Sequence, residues 1–374
     1  MYYIALRMLM GDTTKYLALV FGLTFSTTLV VQQGSIFTGL LRRTAASIET
    51  VPQADIWVMH PATRHYEERK PIEDTAALRV RGIDGVDWAE RLYVGNGSAQ
   101  LPDGTYAALQ IVGVERRSKV GLPMPLDIGN SDDIDESDAV FWDNVGIATY
   151  AKVKAGDVLQ INDRRARVVG EVTAPRTFTS NPTVYTVYER ALEYSPGERN
   201  RLTFVLVHVK PGYDVQKVAA AIREKTGLGA KTADEFFWST VWFFIKSTGI
   251  TINFGITVML GLIVGIAIAG QTFYTFTVEN TKHFGALKAM GASNGTLIKM
   301  VLLQAFLVGL IGWGLGAGLA SLFGMRITSR SLVAFLLTPH LLTLSFGIMI
   351  ITVLLAALVS IYRVLRIEPA IVFR

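Results

Sequence analysis

The 374-residue chain contains no cysteine, which excludes disulfides and thiolate metal sites but fixes no compartment. It has no G-x-x-x-x-G-K-[ST] loop. The segment from Gly285 to Gly291 lacks that spacing and the following lysine, so the chain is not expected to bind ATP itself. Lys and Arg exceed Asp and Glu only by 36 to 31, and no basic run is interleaved with aromatics, which argues against nucleic acid as a partner. No Ser/His/Asp or Cys/His set stands out, so nothing in the sequence marks an enzyme.

Half of the residues are hydrophobic and the mean hydropathy is +0.35, too apolar for an ordinary soluble protein and too polar for one embedded throughout. The apolar residues concentrate in four runs, at about 16–41, 245–278, 297–323 and 341–364, each long enough to cross a bilayer as a helix. None carries a charge in its middle, whereas ion-driven transporters and channels need ionisable groups at depth. The first run ends in Gln32-Gln33-Gly34-Ser35 without a small-x-small cleavage site and reads as an uncleaved span, not a signal peptide. Small-xxx-small pairs, Gly261/Gly265 and those among Gly312, Gly314, Gly316 and Gly318, allow close helix approach, within one chain or between two.

Short-loop charges set the orientation. Arg7 and Lys15 precede the first run, Lys282, Lys288 and Lys299 lie around the loop between the second and third, and Arg363, Arg366 and Arg374 follow the fourth. Only Arg326 and Arg330 occupy the opposite short loop, so both termini and the Lys282 loop are expected in the cytoplasm. Residues 42–240 are then outside, enough chain for one or two lobes. There, 55–59, 107–114 and an alternating 204–209 read as strands, and 158–161 with 167–172 reads as a hairpin around Asn162-Asp163. Asp214 can cap a helix that Gly227 ends, so an α+β domain is expected.

Thr232 and Glu235 form a capping box at the head of a helix containing Phe236, Phe237, Trp238, Trp242, Phe243 and Phe244. Such aromatics beside a span are either interface anchors or a face where an amphiphilic substrate enters from the outer leaflet, with Phe236, Phe237, Trp238 and Trp242 as its residues. Residues 127–138 (DIGNSDDIDESD) miss the EF-hand positions and read as a solvated acidic loop. His60 and His65 near Glu67 and Glu68 read as a surface loop, not a metal site.

The most informative stretch is 282–293, KHFGALKAMGAS, a short basic helix between two spans that a soluble partner can grip. At spacings of three, Phe284, Leu287 and Met290 are read as one apolar side, which either the chain's own membrane ends or a groove on a partner must cover; Gly291 can end the helix in a left-handed turn.

From Glu279 to Ser293 the chain reads ENTKHFGALKAMGAS, which resembles the E-x-T-R-E-I-G-x-L-R-A-L-G-A-S stretch of the FtsX/MacB-like (type VII) ABC transporter permeases, in particular the stand-alone four-span DevC-like type. His283 replaces the usual acid, and Gln304 stands where an acid is common. Residues 4–9 (IALRML) are similar to the family's amphipathic N-terminal helix, 367–371 (IEPAI) to its D-P-x-E-A-L ending, and 154–158 with 168–172 to its G-D-x-I…V-V-G-V hairpin.

The resemblance implies a membrane protein of four transmembrane α-helices plus a large α+β extracytoplasmic domain of MacB type. Its parts would be 1–41 (amphipathic helix and first span), 42–240 (the extracytoplasmic domain) and 241–374 (three spans with a coupling helix at 281–292). It implies no enzyme activity in this chain. A separate ABC ATPase would bind ATP and Mg, and Lys282, His283, Phe284, Gly285, Leu287, Lys288, Met290 and Gly291 would couple to it. Further implied partners are a second permease copy, a membrane-fusion protein with an outer-membrane duct, and membrane lipid. The expected role is mechanotransmission in the bacterial inner membrane, expelling an amphiphilic or periplasmic substrate. The alternative is FtsX-like signalling that activates an extracytoplasmic partner such as a cell-wall hydrolase.

Overall fold

The structure is a computed structural model that describes residues 2–144, 153–178, 181–195, 201–328 and 333–366. Arg330, Arg374 and the 367–371 segment lie outside the described residues. Two compact units are present: 1–40 together with 249–374, and 41–248.

The chain begins with α1 (Tyr2–Gly11) and α2 (Thr13–Thr44). The second unit then runs α3 (Ala46–Glu49), β1 (Ile56–Met59), β2 (Ile72–Glu73), α4 (Ala76–Arg81), β3 (Val86–Gln100), β4 (Tyr106–Val114), β5 (Ala139–Asp143), β6 (Val158–Ile161) and β7 (Arg164–Val172). It continues with β8 (Thr183–Val187), α5 (Tyr188–Glu193), β9 (Arg201–Leu202), β10 (Phe204–Val209), α6 (Val215–Thr226), β11 (Gly229–Thr232) and α7 (Ala233–Ser247). The first unit resumes with α8 (Ile250–Glu279), α9 (Thr281–Ala289), α10 (Asn294–Thr328) and α11 (Pro339–Leu365).

Nine strands form one mixed sheet in the order β11-β1-β10-β3-β4-β8-β5-β7-β6. Strands β1, β5 and β10 are apolar and buried almost throughout because both faces are covered. In β1, Ile56 and Val58 join the core beneath α4, α5 and α6, while Trp57 and Met59 join the core beneath α3 and α7. In β10, Val205, Val207 and Val209 take the first core and Phe204 and Leu206 the second. The alternation expected at 204–209 is therefore a division between two cores, not between core and water. The β6–β7 hairpin turns on Asn162 (φ 46°) and Asp163 (φ 64°), the two left-handed positions of a type I′ turn. Helix α6 starts where Asp214 Oδ1 accepts from the Gln216 and Lys217 amides and stops at Gly227 (φ 70°).

In the other unit, α2, α8, α10 and α11 are each long and apolar enough to span a membrane. The apolar run expected to begin the second span at residue 245 is divided. Ile245 belongs to α7, Thr248 is extended (φ −116°, ψ 149°), and the span helix begins at Ile250. Hydrogen bonds cross between helices of the bundle: Ser26 Oγ donates to the Gly261 carbonyl at 2.8 Å and Trp313 Nε1 to Ser345 Oγ at 3.0 Å. A Cβ at Gly312 or Gly316 would lie 2.7 Å from atoms of α2, so these glycines serve packing within the chain. Around Gly314 and Gly318 nothing stands within 4 Å.

Candidate functional site

The 282–293 signature is a pair of helix signals placed back to back. Asn280 joins α8 to α9: its Nδ2 donates to the Phe276 carbonyl at 2.9 Å in the last turn of α8, and it makes no side-chain cap on α9. After Ala289 the chain closes a Schellman motif: the Ala292 amide donates to the Leu287 carbonyl at 3.0 Å and the Gly291 amide to the Lys288 carbonyl at 3.1 Å. That closure requires the left-handed Gly291, φ 94°. Ser293 then caps α10, its Oγ accepting from the Thr296 amide at 3.3 Å. The M-G-A-S tetrapeptide thus stops one helix and starts the next within four residues.

What α9 touches differs from the single apolar side expected. Phe284 is fully buried and Leu287 is 5% exposed, both within one cluster that includes Ala5 and Leu9 of α1, Leu23 of α2, Phe273 of α8, Met300 of α10 and Val364 of α11. Met290 is 75% exposed. The chain's own membrane unit therefore covers Phe284 and Leu287. Gly285 is buried beside them. Lys288 Nζ donates to the Leu365 carbonyl at 3.2 Å, satisfying the last turn of α11. Lys282, His283, Met290 and Gly291 are the exposed members of the set.

Neighbouring contacts fix this elbow further. Asp12 and Glu279 both pair with Lys15, joining the α1–α2 turn to the end of α8. Gln304, 1% exposed, donates from Nε2 to the Ala5 carbonyl at 2.6 Å and ties α10 to α1. The amide thus makes a bond to backbone that a carboxylate at this position could not donate. An open groove of about 600 Å³ lies against α9, with Tyr3, Arg7, Asp12, Glu279 and His283 among its walls.

The aromatic helix α7 has two faces. Its capping box is formed: Thr232 Oγ1 accepts from the Glu235 amide at 3.2 Å, and Glu235 accepts from the Thr232 amide at 3.0 Å. Phe236 is fully buried against Trp57, Tyr66 and Phe204, so its place is the domain core and it lines no outer face. Phe237 is partly buried on the same core. Trp238 and Trp242 point outward. His65 stacks on Phe243 at 4.0 Å, and burial pushes its pKa down. Glu68 and Glu67 are committed to Arg64 and Arg69. In the acidic loop, Asp132 and Asp135 pair with Lys119, and Arg190 donates to the Glu136 and Ala139 carbonyls.

Two family profiles match. The MacB-like periplasmic core domain covers residues 17–225, more than half of the chain, and the FtsX-like permease C-terminal domain covers 237–369. The chain belongs to the FtsX/MacB-type ABC transporter permeases. Among the relatives of this permease, an uncharacterized ABC transporter permease of Methanocaldococcus jannaschii is 26% identical over 167 residues, 43% of this chain and 41% of the relative. Uncharacterized permeases of Mycobacterium bovis and Mycobacterium tuberculosis are 24% identical over 242 residues, 62% of this chain and 61% of theirs. The matches thus span less than two thirds of those relatives' length.

Among solved structures, the extracellular domain of the noncanonic ABC-type transporter YknZ from Gram-positive bacteria is similar at TM-score 0.36 and 13% identity, covering 48% of this chain and 98% of that one. The periplasmic region of MacB from Actinobacillus actinomycetemcomitans is similar at TM-score 0.39 and 13% identity, covering 54% and 96%. The permease is a membrane protein with four span-like helices among the described residues and a sheet-rich MacB-like domain.

Proposed function

We propose that this permease is the membrane subunit of an exporter that carries ATPase movement across the membrane to its extracytoplasmic domain, expelling an amphiphilic or periplasmic substrate. The carrying observation is the seating of α9. Phe284 and Leu287 lock this short helix into a cluster with α1, α2, α8, α10 and α11, so a displacement of α9 loads every span at once. ATP and Mg belong to the ATPase, and this chain supplies the lever.

In this reading the ATPase grips what α9 leaves exposed, Lys282, His283, Met290 and Gly291, from the cytoplasm. Met290 supplies an adaptable apolar contact and Lys282 a charge for an acidic rim. The test is co-purification with the cognate ABC ATPase. The double variant Met290→Asp/Lys282→Glu should keep its fold and lose most of the ATPase, and the wild-type permease alone should hydrolyse no ATP. Wild-type retention of the ATPase by the double variant, or turnover by the pure chain, overturns the proposal.

A further inference from the structure

Helix α7 carries an exposed stripe at four-residue spacing: Asp234, Trp238, Trp242 and Lys246. Trp238 and Trp242 are 56% and 52% exposed, while Phe236, Thr240, Val241 and Phe244 on the other side are buried in the domain. Two half-exposed indoles on one helical row are a large apolar area to leave in water, and each keeps an N–H that needs a polar partner.

A cation accompanies the stripe: Lys246 Nζ stands 5.5 Å from the Trp242 ring. Lys246 makes no ion pair with a carboxylate among the described residues. The acidic residue of the stripe, Asp234, sits at the opposite end, in the first turn of α7. Polarity therefore changes along the helix from acidic, through indole, to basic.

The basic end leads directly into a span. Trp242 precedes Ile250, the first residue of α8, by eight residues, and only Thr248 and Gly249 separate the two helices. With a rise of about 1.5 Å per helical residue, both indoles lie within roughly 20 Å of chain from the start of a membrane helix. Trp with Lys at the mouth of a span is the chemistry of the headgroup layer, where an indole buries its ring, donates its N–H to ester or phosphate oxygens, and leaves the ammonium beside phosphate.

We infer that α7 lies on the outer membrane surface, with Trp238 and Trp242 in the lipid headgroup layer and Lys246 against phosphate. Its ligand is the lipid surface itself. The inference does not depend on ATPase coupling or on export.

Because the chain lacks cysteine, a single introduced thiol is unique. Full-length Trp242→Cys carries a nitroxide in nanodiscs of phosphatidylcholine and phosphatidylglycerol, with Tyr213→Cys, exposed on the same domain, as the aqueous control. The label at 242 should be relaxed more by oxygen and less by a water-soluble nickel chelate than the label at 213, by severalfold in their ratio. Equal ratios at both positions place the stripe in water and overturn the inference. Shielding of 242 from both agents means that protein covers it, a second copy or another partner, and equally overturns it. A second measurement keeps both indoles. In a Trp313→Phe background, lipids brominated near the headgroup should quench a fraction of emission that vanishes in Trp238→Phe/Trp242→Phe. An unchanged quenched fraction contradicts lipid contact.

Discussion

Phe284 and Met290 lie six positions apart in one signature, yet one is fully buried and the other 75% exposed. Helix geometry explains the division. At about 100° per residue, Phe284 and Leu287 differ by about 60°, but Phe284 and Met290 differ by about 120°, so a ladder of threes drifts off one face. The sequence made the residue types and the left-handed role of Gly291 readable; which apolar residues the membrane ends would cover depended on α1, α10 and α11, far away in sequence. Stability should follow burial. Phe284→Ala removes a ring from a packed cluster and should cost about 3–5 kcal/mol, whereas Met290→Ala should stay within about 0.5 kcal/mol. Thermal unfolding of the detergent-solubilised chain checks both. Equal losses at the two positions would contradict the seating of α9.

Among the elements, local signals were legible and long-range ones were not. The Asn162-Asp163 turn, the Asp214 cap, the Gly227 stop and the Thr232/Glu235 box each depend on three or four adjacent residues, and each is present. The strand order was not readable, since β1 lies between β11 and β10, and β4 pairs in parallel with β8. Nor was the break between α7 and α8, because only the four residues Lys246 to Gly249 interrupt the apolar sequence and no proline stands there to stop a helix. The box at α7 makes a sharp prediction. Thr232→Ala leaves the Glu235 amide without its side-chain acceptor and should weaken the first turn by about 1 kcal/mol. Hydrogen exchange on the full-length protein should report faster exchange at the Glu235 amide, while amides late in α7, buried beside Val241 and Phe244, keep their protection. Uniform acceleration along α7 would instead mean that the cap holds the whole helix.

At the scale of the whole molecule, charge is distributed unevenly. The described membrane unit has only two carboxylates, Asp12 and Glu279, and Lys15 engages both. Arg7, Lys282, Lys299 and Arg363 therefore have no carboxylate partner among the described residues. All four flank spans on the side that the short-loop rule assigns to the cytoplasm, and moving them through the hydrocarbon would be costly. The natural absence of cysteine lets two exposed positions report the outcome: Ser137 in the acidic loop of the sheet domain and Met290 at the tip of α9. Met290 is a better reporter than Ser293, whose hydroxyl caps α10 and would be lost on substitution. With the outer membrane, where there is one, made permeable, a membrane-impermeant maleimide should label Ser137→Cys in intact inner-membrane vesicles of native orientation and spare Met290→Cys. Detergent should then expose Met290→Cys to the same reagent. Labelling of Met290→Cys before detergent would place α9 outside, beyond reach of any cytoplasmic ATPase, and would remove the basis for coupling through this helix.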